Sequence, residues 1–439
     1  MIEDVLEFIT KNWSYYHFSV IEGMGMEIQR EHYLAELRLR EKNGMAKIIT
    51  GPRRVGKSYL LFRLFYRDLI ARGVDPSHII CVALDDIENE GLRERRLLYD
   101  YVKSRIRDND AYYVFLDEIQ FVDGFVDTVN GLLHIENLDV YVTGSNSRLL
   151  SSDILTEFRG RGDEVRVYPL SFREFCSVFE GTSEEAWETY IVYGGMPAVA
   201  LMRDDRQKTN YLSRLFRETY LRDLTERNKI RRHDDFAELI RVLASAVGSL
   251  TNPSKLQRTF QSLKKSTITD KTIREYIDAL KDAFLIDTAI RYDIKGKRYI
   301  GTPVKHYFTD IGIRNAVLSY RQPEETHLME NVIFNELKIR GYEVDIGVVE
   351  KRAAAGAERT RLEIDFIARL GSAKYYIQSA FSMDEEMKRR QEERPLLAVN
   401  DSFKKIIVTG RNQKLWRNEQ GITTIGVREF LLEEKSLEL

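Results

Sequence analysis

The sequence has little cysteine and no long apolar run, and each absence excludes a class of protein. Its 439 residues contain only two cysteines, Cys81 and Cys176, which are far apart and outside any Cys-x-x-Cys spacing. A disulfide scaffold and a cysteine-rich zinc site are therefore excluded, and a reducing, cytoplasmic setting is expected. No stretch reaches the roughly 18 consecutive apolar residues of a transmembrane helix, and the acidic start MIEDVLEF is unlike a signal peptide. We accordingly expect no association with a membrane.

The sequence also lacks a strong excess of charge of either sign. Lysine and arginine number 67 and aspartate and glutamate 69, which gives a formal net charge of −2. A polycation that binds nucleic acid over its whole surface is excluded, so any nucleic-acid surface must be local. Hydrophobic residues make up 43% and charged residues 31% of the chain, which is typical of folded proteins.

Apolar strands that alternate with helices indicate an α/β fold in residues 1–170, and later segments follow other patterns. Continuous apolar strands are typical of a parallel sheet that helices cover on both faces. Helical segments follow at 171–233, and residues 234–320 resemble a winged-helix domain, with a helix capped by Thr269 or Asp270 and a hairpin around a Lys-Gly-Lys turn. Residues 321–439 predict a second α/β domain. The predicted strands of the first domain are 46–50, 78–84, 112–119, 138–145 and 164–170.

The segment Gly51–Ser58, GPRRVGKS, fits the pattern G-x-x-x-x-G-K-[ST] and lies between a predicted strand and a predicted helix. Glycines at both ends allow the backbone N–H groups to surround a phosphate, and the following helix N-terminus adds partial positive charge. Lys57 can neutralise β- and γ-phosphate oxygens, and the Ser58 hydroxyl can ligate Mg²⁺. The candidate contacts to a nucleotide such as ATP are Gly51, Pro52, Arg53, Arg54, Val55, Gly56, Lys57, Ser58 and Tyr59.

Two carboxylates end the third predicted strand, at Asp117 and Glu118. In an open α/β sheet, ligands bind at the carboxyl ends of the strands. Asp117 would hold Mg²⁺ through water, and Glu118 would orient or deprotonate an attacking water.

Two further segments offer polar groups to the same site. After the fourth strand, Ser145 or Asn146 could contact the γ-phosphate or the attacking water, although a polar turn explains this segment equally well. Before the fifth strand, Arg159 or Arg161 could reach transition-state charge, in its own chain or in a neighbouring subunit. Surface arginines are common, so this segment alone does not decide the role.

With these residues in place, the chain resembles the AAA-type P-loop ATPases of bacteria and archaea that carry a C-terminal domain of unknown function. The resemblance covers nearly the whole chain. It rests on residues 46–58, FLDEIQ at 115–120, TGSNSRLL at 143–150, and RGR followed by YPLSFREF within 159–175. It implies binding and hydrolysis of ATP with Mg²⁺, catalytic roles for Lys57, Asp117, Glu118 and Asn146, and Arg161 rather than Arg159 as the arginine finger.

Two weaker matches extend the resemblance. YGGMP at 193–197 resembles the Gly-x-Pro element of related ATPases, in which the proline packs on adenine, and this implies that Pro197 contacts the base. IQRE at 28–31 is loosely similar to the Arg-Glu segment that precedes such cores.

The last domain resembles a restriction-endonuclease-like fold that has lost its catalytic residues. Glu330 or Glu336 would be the helical acid and Asp365 the aspartate, but Gln378 replaces the next metal-binding acid and Ala380 the lysine. A neutral amide is a poor ligand for a hard cation, and loss of the lysine removes further charge stabilisation. We therefore expect a binding or assembly role, with metal-dependent nuclease activity as a minor alternative.

Residues 203–310 form a basic region in an otherwise slightly acidic chain, with 23 Lys plus Arg against 15 Asp plus Glu, a difference of +8. Together with the winged-helix pattern, this suggests a DNA-backbone surface with Lys271 and Arg274 on the recognition helix and Lys295, Lys297 and Arg298 at the wing. The alternative is a solvated face or a protein-binding module. The lead hypothesis is an ATP-driven switch that repositions C-terminal binding domains. A protein partner and homo-oligomerisation also remain open.

Overall fold

The computed structural model describes residues 27–144, 158, 160–264, 267–322, 324–351, 360–411 and 413–439. The chain forms two compact units, Met1–Val167 and Tyr168–Leu439. Three predicted site residues, Ser145, its alternative Asn146 and the alternative finger Arg159, lie outside the described residues.

The first unit is built on a five-stranded parallel sheet with the strand order β2-β3-β4-β1-β5. Its strands are β1 (Ala46–Thr50), β2 (Ile79–Ala83), β3 (Tyr112–Asp117), β4 (Leu138–Thr143) and β5 (Gly162–Arg166). Its helices are α1 (Glu31–Arg40), α2 (57–71, with a π-helical turn at Leu60–Phe65), α3 (Arg95–Arg105) and α4 (Phe125–Leu132). Short 3₁₀ turns occupy Pro76–His78, Ile87–Arg93 and Ile119–Phe121.

Apolar side chains cover this sheet on both faces, which explains why its strands are apolar without alternation. On one face, Val114 and Leu116 of β3 pack with Leu98 of α3 and Val129 of α4. Aromatic rings pack on the other face, where Phe65 of α2 lies 5.7 Å from Phe115 and 5.1 Å from Tyr141 between ring centroids. The predicted parallel α/β sheet is thus confirmed.

The second unit contains helices followed by a mixed sheet. Its helices are α5 (Phe172–Cys176), α6 (Ser183–Tyr193), α7 (Pro197–Ala200), α8 (205–227, with a π-helical stretch at Leu215–Leu221), α9 (His233–Ser245), α10 (Pro253–Lys264), α11 (Asp270–Asp282), α12 (Ile311–Val317), α13 (Glu325–Ile339), α14 (Glu386–Leu397) and α15 (Val427–Leu432). Its strands are β6 (Ile286–Asp293), β7 (Arg298–Phe308), β8 (Glu343–Lys351), β9 (Thr360–Leu370), β10 (Ala373–Ala380), β11 (Lys404–Thr409), β12 (Trp416–Arg417) and β13 (Ile422–Gly426).

One eight-stranded sheet crosses the predicted boundary between residues 320 and 321. Its strand order is β12-β13-β11-β10-β9-β8-β6-β7. The predicted wing hairpin, β6 and β7, is antiparallel, and β6 also pairs in parallel with β8 through Arg291–Ile346 and its neighbours. The hairpin is therefore an extension of the C-terminal sheet. Before it, Thr269 rather than Asp270 caps α11, because its side chain accepts a hydrogen bond from the Thr272 N–H.

Two smaller observations complete the fold. Between β2 and β3, the 3₁₀ turn ends at Arg93 and α3 begins at Arg95 with Glu94 as its cap. Within the described ranges, we find no helix with the length and apolarity that a membrane span requires.

Candidate functional site

The phosphate-binding loop connects β1 to α2, and its backbone geometry requires glycine at both ends. Gly51 has φ +136°, and a Cβ atom there would lie 2.1 Å from the Val167 carbonyl oxygen. Gly56 has φ +92° and precedes the first helical residue, Lys57. Arg54 is also in the left-handed region, with φ +66°. Such a chain path turns backbone N–H groups towards one point, as an anion cradle requires.

Lys57 lies inside this loop and is buried. Its Nζ donates hydrogen bonds to the carbonyl oxygens of Gly51 at 3.0 Å and Pro52 at 2.9 Å. Burial lowers the pKa of Lys57 to about 8, while the nearby carboxylates of Glu118 and Asp117 oppose that shift. The ammonium group is thus held at the loop by carbonyl dipoles that a phosphate could replace.

Asp117 joins the loop to two neighbouring strands. Ser58 Oγ donates to Asp117 Oδ1 at 3.0 Å, and the Thr143 hydroxyl donates to the same oxygen. Thr143 can do so because β4 lies between β1 and β3 and pairs with both. Burial, followed by the charge of Glu118, raises the pKa of Asp117 to about 6. The sequence analysis named Thr143 only as the first residue of TGSNSRLL and gave it no role. The position of Thr143 at the end of a predicted central strand could have indicated that it belongs to the site.

Glu118 has a strained backbone at the carboxyl end of β3. Its φ and ψ are 50° and 48°, a left-handed conformation that costs a non-glycine residue about 1 kcal/mol. Its backbone N–H donates to Thr143 Oγ1 at 3.1 Å, and its carboxylate accepts from Gln120 Nε2. Burial and then the charge of Glu118 raise the pKa of Asp85, which follows β2. Sequence reasoning missed this third carboxylate, although Asp85 also directly follows a buried strand.

The segment before α1 supports the loop. Arg30 is buried, and its Nη1 donates to the Val55 carbonyl oxygen at 3.2 Å. The Tyr59 hydroxyl donates to Glu27 Oε1 at 3.1 Å, and burial raises the pKa of Tyr59 to about 12. In the first unit, Arg30 of the IQRE segment therefore supports the phosphate-binding loop from its outer side. The Tyr59 hydroxyl, a candidate contact to a nucleotide, is instead hydrogen-bonded to Glu27.

Arg161 lies at the opposite edge of the sheet from the phosphate-binding loop. It directly precedes β5, and its carbonyl oxygen accepts from the Ala46 N–H, at the start of β1, at 2.8 Å. The register Ala46–Gly162 places it a full strand length, about 16 Å, from Gly51. The exposed side chain of Arg161 is thus too far to reach a nucleotide in its own loop.

Pro197 is the first residue of α7, and the loop before it is tightly held within the second unit. Gly195 N–H donates to Asp310 Oδ2 at 2.8 Å, and Leu170 N–H donates to the Gly195 carbonyl oxygen at 2.7 Å. A Cβ on Gly194 would lie 2.5 Å from Asp310 Oδ1. The Gly-Gly pair is thus explained by close packing, and the contact of Pro197 with adenine stays a prediction.

The nuclease-like residues of the second unit form a buried cluster with a different composition from the one expected. Glu330 and Asp365 come together, whereas Glu336 pairs with Arg340 at 2.7 Å. Gln378 donates to Glu392 of α14 at 3.0 Å. Ala380 supplies no charge at the position of the motif lysine, but another lysine of the chain lies in the cluster. Lys305 of β7 reaches both acids, a contact that no local pattern signals.

The residues of the first unit fit a magnesium nucleotide. A hydroxyl and a carboxylate, from Ser58 and Asp117, lie side by side and are oxygen ligands of the kind that Mg²⁺ prefers. The raised pKa of Asp117 indicates a buried carboxylate with too little positive charge around it, which a cation would supply. Lys57 supplies the complementary charge for phosphate.

A strand, a glycine-ended loop and a helix, followed by a carboxylate on a nearby parallel strand, define a P-loop protein. Residues 43–176 match the family model described as "AAA domain", and residues 184–324 match "Domain of unknown function (DUF8612)". The chain belongs to the family that joins these two domains. An uncharacterized protein of Haemophilus influenzae is 34% identical over 413 residues, covering 92% of this chain and 99% of the relative. An uncharacterized protein of Methanocaldococcus jannaschii is 27% identical over 406 residues, covering 88% and 86%.

Solved structures give weaker matches. The Aeropyrum pernix Orc1 protein in complex with DNA is 16% identical, with a TM-score of 0.28, and the match covers 67% of this chain and 93% of that one. AMPPCP-bound DnaA from Aquifex aeolicus is 13% identical, with a TM-score of 0.30, covering 62% and 93%. Scores this low support no argument about the role of this chain.

Proposed function

We propose that this protein binds ATP with Mg²⁺ and hydrolyses it slowly, and that the change of bound nucleotide repositions its C-terminal domains. The observation that carries the proposal is the meeting of Lys57, Ser58 and Asp117 at the carboxyl edge of the parallel sheet. A positive charge for phosphate and oxygen ligands for a metal are thereby provided by adjacent groups, and the general base, Glu118, directly follows Asp117.

The chemistry assigns one task to each side chain. A bound Mg²⁺ would neutralise the β- and γ-phosphate oxygens. Lys57 would exchange its two carbonyl partners for phosphate oxygens, and Ser58 and Asp117 would hold the metal directly or through water. Glu118 would orient a water molecule and accept its proton as the water oxygen bonds to the γ-phosphorus and the bond to the bridging oxygen breaks.

Two substitutions separate binding from hydrolysis. Lys57→Ala should abolish binding of ATP, measured by calorimetry with MgATP, because it removes the buried positive charge. Glu118→Gln should retain ATP and reduce turnover by about 100-fold or more, as expected when a general base is lost. Wild-type turnover in Glu118→Gln would contradict the assignment of the base. Absence of any heat with magnesium and adenine or guanine triphosphates would contradict the whole proposal.

The second candidate function is ATP-regulated binding of DNA through residues 203–310. The charges on the described helices support this candidate, but they favour a contact through α10 instead of the predicted contact through α11. On α11, Lys271 and Arg274 lie 4.0 and 3.7 Å from the acids Glu275 and Asp270 of the same helix. In contrast, α10 carries exposed Lys255 and Arg258 and contains no acidic residue. Cations without acids on their own helix are the better candidates for phosphate contacts.

A duplex-binding assay at several salt concentrations tests this candidate with a matched control. Lys255→Ala/Arg258→Ala should weaken binding and reduce the slope of log K against log[salt] by about 2, because two phosphate contacts are lost. Lys271→Ala/Arg274→Ala should change the slope less. Binding that salt does not weaken, or no binding to any duplex with and without ATP, would exclude a DNA-backbone surface.

Metal-dependent cleavage of nucleic acid is the least supported candidate. It would require Asp365 to hold a divalent cation, and its carboxylate is engaged by Lys305 and the Ser379 N–H. Plasmid that stays uncut with Mg²⁺ or Mn²⁺ at high protein concentration is the expected result. Cleavage that Asp365→Asn abolishes would restore the nuclease hypothesis.

A further inference from the structure

Lys305 is a buried lysine surrounded by acids in the second unit. Its Nζ lies 2.9 Å from Glu330 Oε1, 2.9 Å from Glu363 Oε1 and 3.5 Å from Asp365 Oδ1. The side chain is 4% exposed, and those of Glu330 and Asp365 are 8% and 12% exposed. Only Glu363, at 36%, has substantial access to water. The three acids come from α13 and β9, and the lysine comes from β7.

A lysine buried to this degree keeps its charge only if the surrounding groups replace its hydration. Burial lowers its pKa, but the charges of Glu330, Asp365 and Glu363 outweigh burial, and the net effect raises the pKa of Lys305. The ammonium therefore stays protonated at neutral pH. It offsets part of the negative charge of three carboxylates that would otherwise repel one another more strongly in a dry environment.

The two buried acids of the cluster are also held by other protein groups. Asp365 Oδ2 accepts from the Ser379 N–H at 2.9 Å, and Glu330 Oε1 accepts from the Tyr307 hydroxyl at 2.7 Å. Gln378 turns its amide oxygen to the Asp365 N–H at 3.4 Å and its amide nitrogen to Glu392. A divalent ion would need these oxygens at about 2.0–2.6 Å, in the volume that the ammonium occupies.

The residues therefore do not fit the divalent metal that a nuclease-like fold implies. We infer that Lys305 serves as a built-in cation at this position, so that the C-terminal unit keeps the carboxylate cluster as a structural centre and excludes divalent metal. Restriction-endonuclease-like sites use acids to hold an exchangeable ion, whereas here the cation is part of the chain and cannot leave. This inference does not depend on ATP binding.

Mn²⁺ titration of the full chain without nucleotide, followed by the electron paramagnetic resonance signal of the free ion, tests the inference. Binding to wild type and to Asp365→Asn should be the same, because Asp365 holds no metal. Lys305→Ala removes the charge and opens space between three acids. It should bind one additional Mn²⁺ per chain, at least about tenfold more tightly than any site in wild type, since an acidic oxygen cluster is a hard-cation site.

The control variants separate loss of charge from general disturbance. Lys305→Arg keeps a positive charge and should gain no Mn²⁺, and Lys305→Ala/Asp365→Asn should lose the gained ion. A Mn²⁺ site in wild type that Asp365→Asn or the half-exposed Glu363→Gln removes would overturn the inference. A folded Lys305→Ala chain that gains no Mn²⁺ would overturn it as well. Should Lys305→Ala fail to fold, Mn²⁺ binding is compared between wild type and Glu363→Gln. Equal binding supports the inference, and a site lost in Glu363→Gln overturns it.

Discussion

At the scale of single residues, Lys57 and Asp117 have pKa values shifted towards neutrality from opposite sides. Burial lowers the pKa of Lys57 to about 8 and raises that of Asp117 to about 6. Nucleotide binding needs the protonated lysine and the ionised aspartate. Affinity for MgATP should therefore be greatest between pH 6 and pH 8, and should fall about tenfold at pH 5 and at pH 9 relative to its maximum. Calorimetry over this pH range measures both limbs.

Two variants identify the group responsible for each side of this pH profile, the acidic limb below pH 6 and the alkaline limb above pH 8. Lys57→Arg keeps its charge above pH 8, so the alkaline limb should disappear whatever the absolute affinity. Asp117→Asn should remove the protein's part of the acidic limb and leave the titration of the nucleotide's own terminal phosphate, whose pKa is about 6. An alkaline limb that persists unchanged in Lys57→Arg would show that another group controls it.

Thr143 serves two partners with one hydroxyl, donating to Asp117 and accepting from the Glu118 N–H. Thr143→Val keeps the shape but leaves that N–H without its partner, at a cost of about 1–2 kcal/mol. Because this N–H holds the backbone of Glu118, its loss should misplace the Glu118 carboxylate and raise the activation free energy by a similar amount. ATP hydrolysis should then fall about 5- to 30-fold, while MgATP affinity changes by less than about threefold.

Thr143→Ser is the matched control for this prediction, because it keeps the hydroxyl and should restore most of the activity. Steady-state hydrolysis and calorimetric affinity together make the test. Equal loss of affinity and turnover in Thr143→Val would indicate a disturbed loop instead of a misplaced base.

At the scale of elements, the phosphate-binding loop depends on close approach between its first residue and the segment that leaves β5. A Cβ on Gly51 would lie 2.1 Å from the Val167 oxygen, and φ is +136°. At Gly56, φ is +92° but the nearest atom is 4.0 Å away. Gly51→Ala should therefore destabilise the first unit by about 3 kcal/mol or more and abolish MgATP binding, whereas Gly56→Ala should cost about 1–2 kcal/mol.

Gly44→Ala measures the cost of the backbone angle alone, because φ there is +74° and no atom lies within 4 Å of the added Cβ. Chemical denaturation of the three variants gives the comparison. A Gly51→Ala chain as stable as Gly44→Ala would mean that the loop yields easily, and the close approach would then not explain the glycine.

At the scale of the whole molecule, the two units differ in how far the sequence could predict them. The phosphate-binding loop and the Asp117–Glu118 pair are contiguous motifs at strand ends, so the alternation of strands and helices was enough to bring them together. Lys305 reaches Asp365 across 60 residues of sequence, and the choice between Glu330 and Glu336 depends on which face of α13 meets β7. Such contacts arise from tertiary packing, which strand and helix patterns do not encode.

Assembly is the remaining question at this scale, and Arg161 provides the test. Because Arg161 lies at the far edge of the sheet from Gly51, a role as arginine finger requires a neighbouring copy of the chain. Arg161→Ala should reduce hydrolysis by about 10³-fold or more while retaining MgATP affinity, as expected for loss of a finger.

Mixing Arg161→Ala with Lys57→Ala provides the complementary experiment. The first variant has an intact loop and no finger, and the second has an intact finger and a loop that cannot bind ATP. Each should be inactive alone, and the mixture should regain measurable hydrolysis, because an Arg161→Ala loop can meet the Arg161 of a Lys57→Ala neighbour. Wild-type activity per chain should also rise with protein concentration as copies associate. Activity that is independent of concentration, together with a mixture that stays inactive, would exclude action between copies and leave Arg161 as an exposed surface residue.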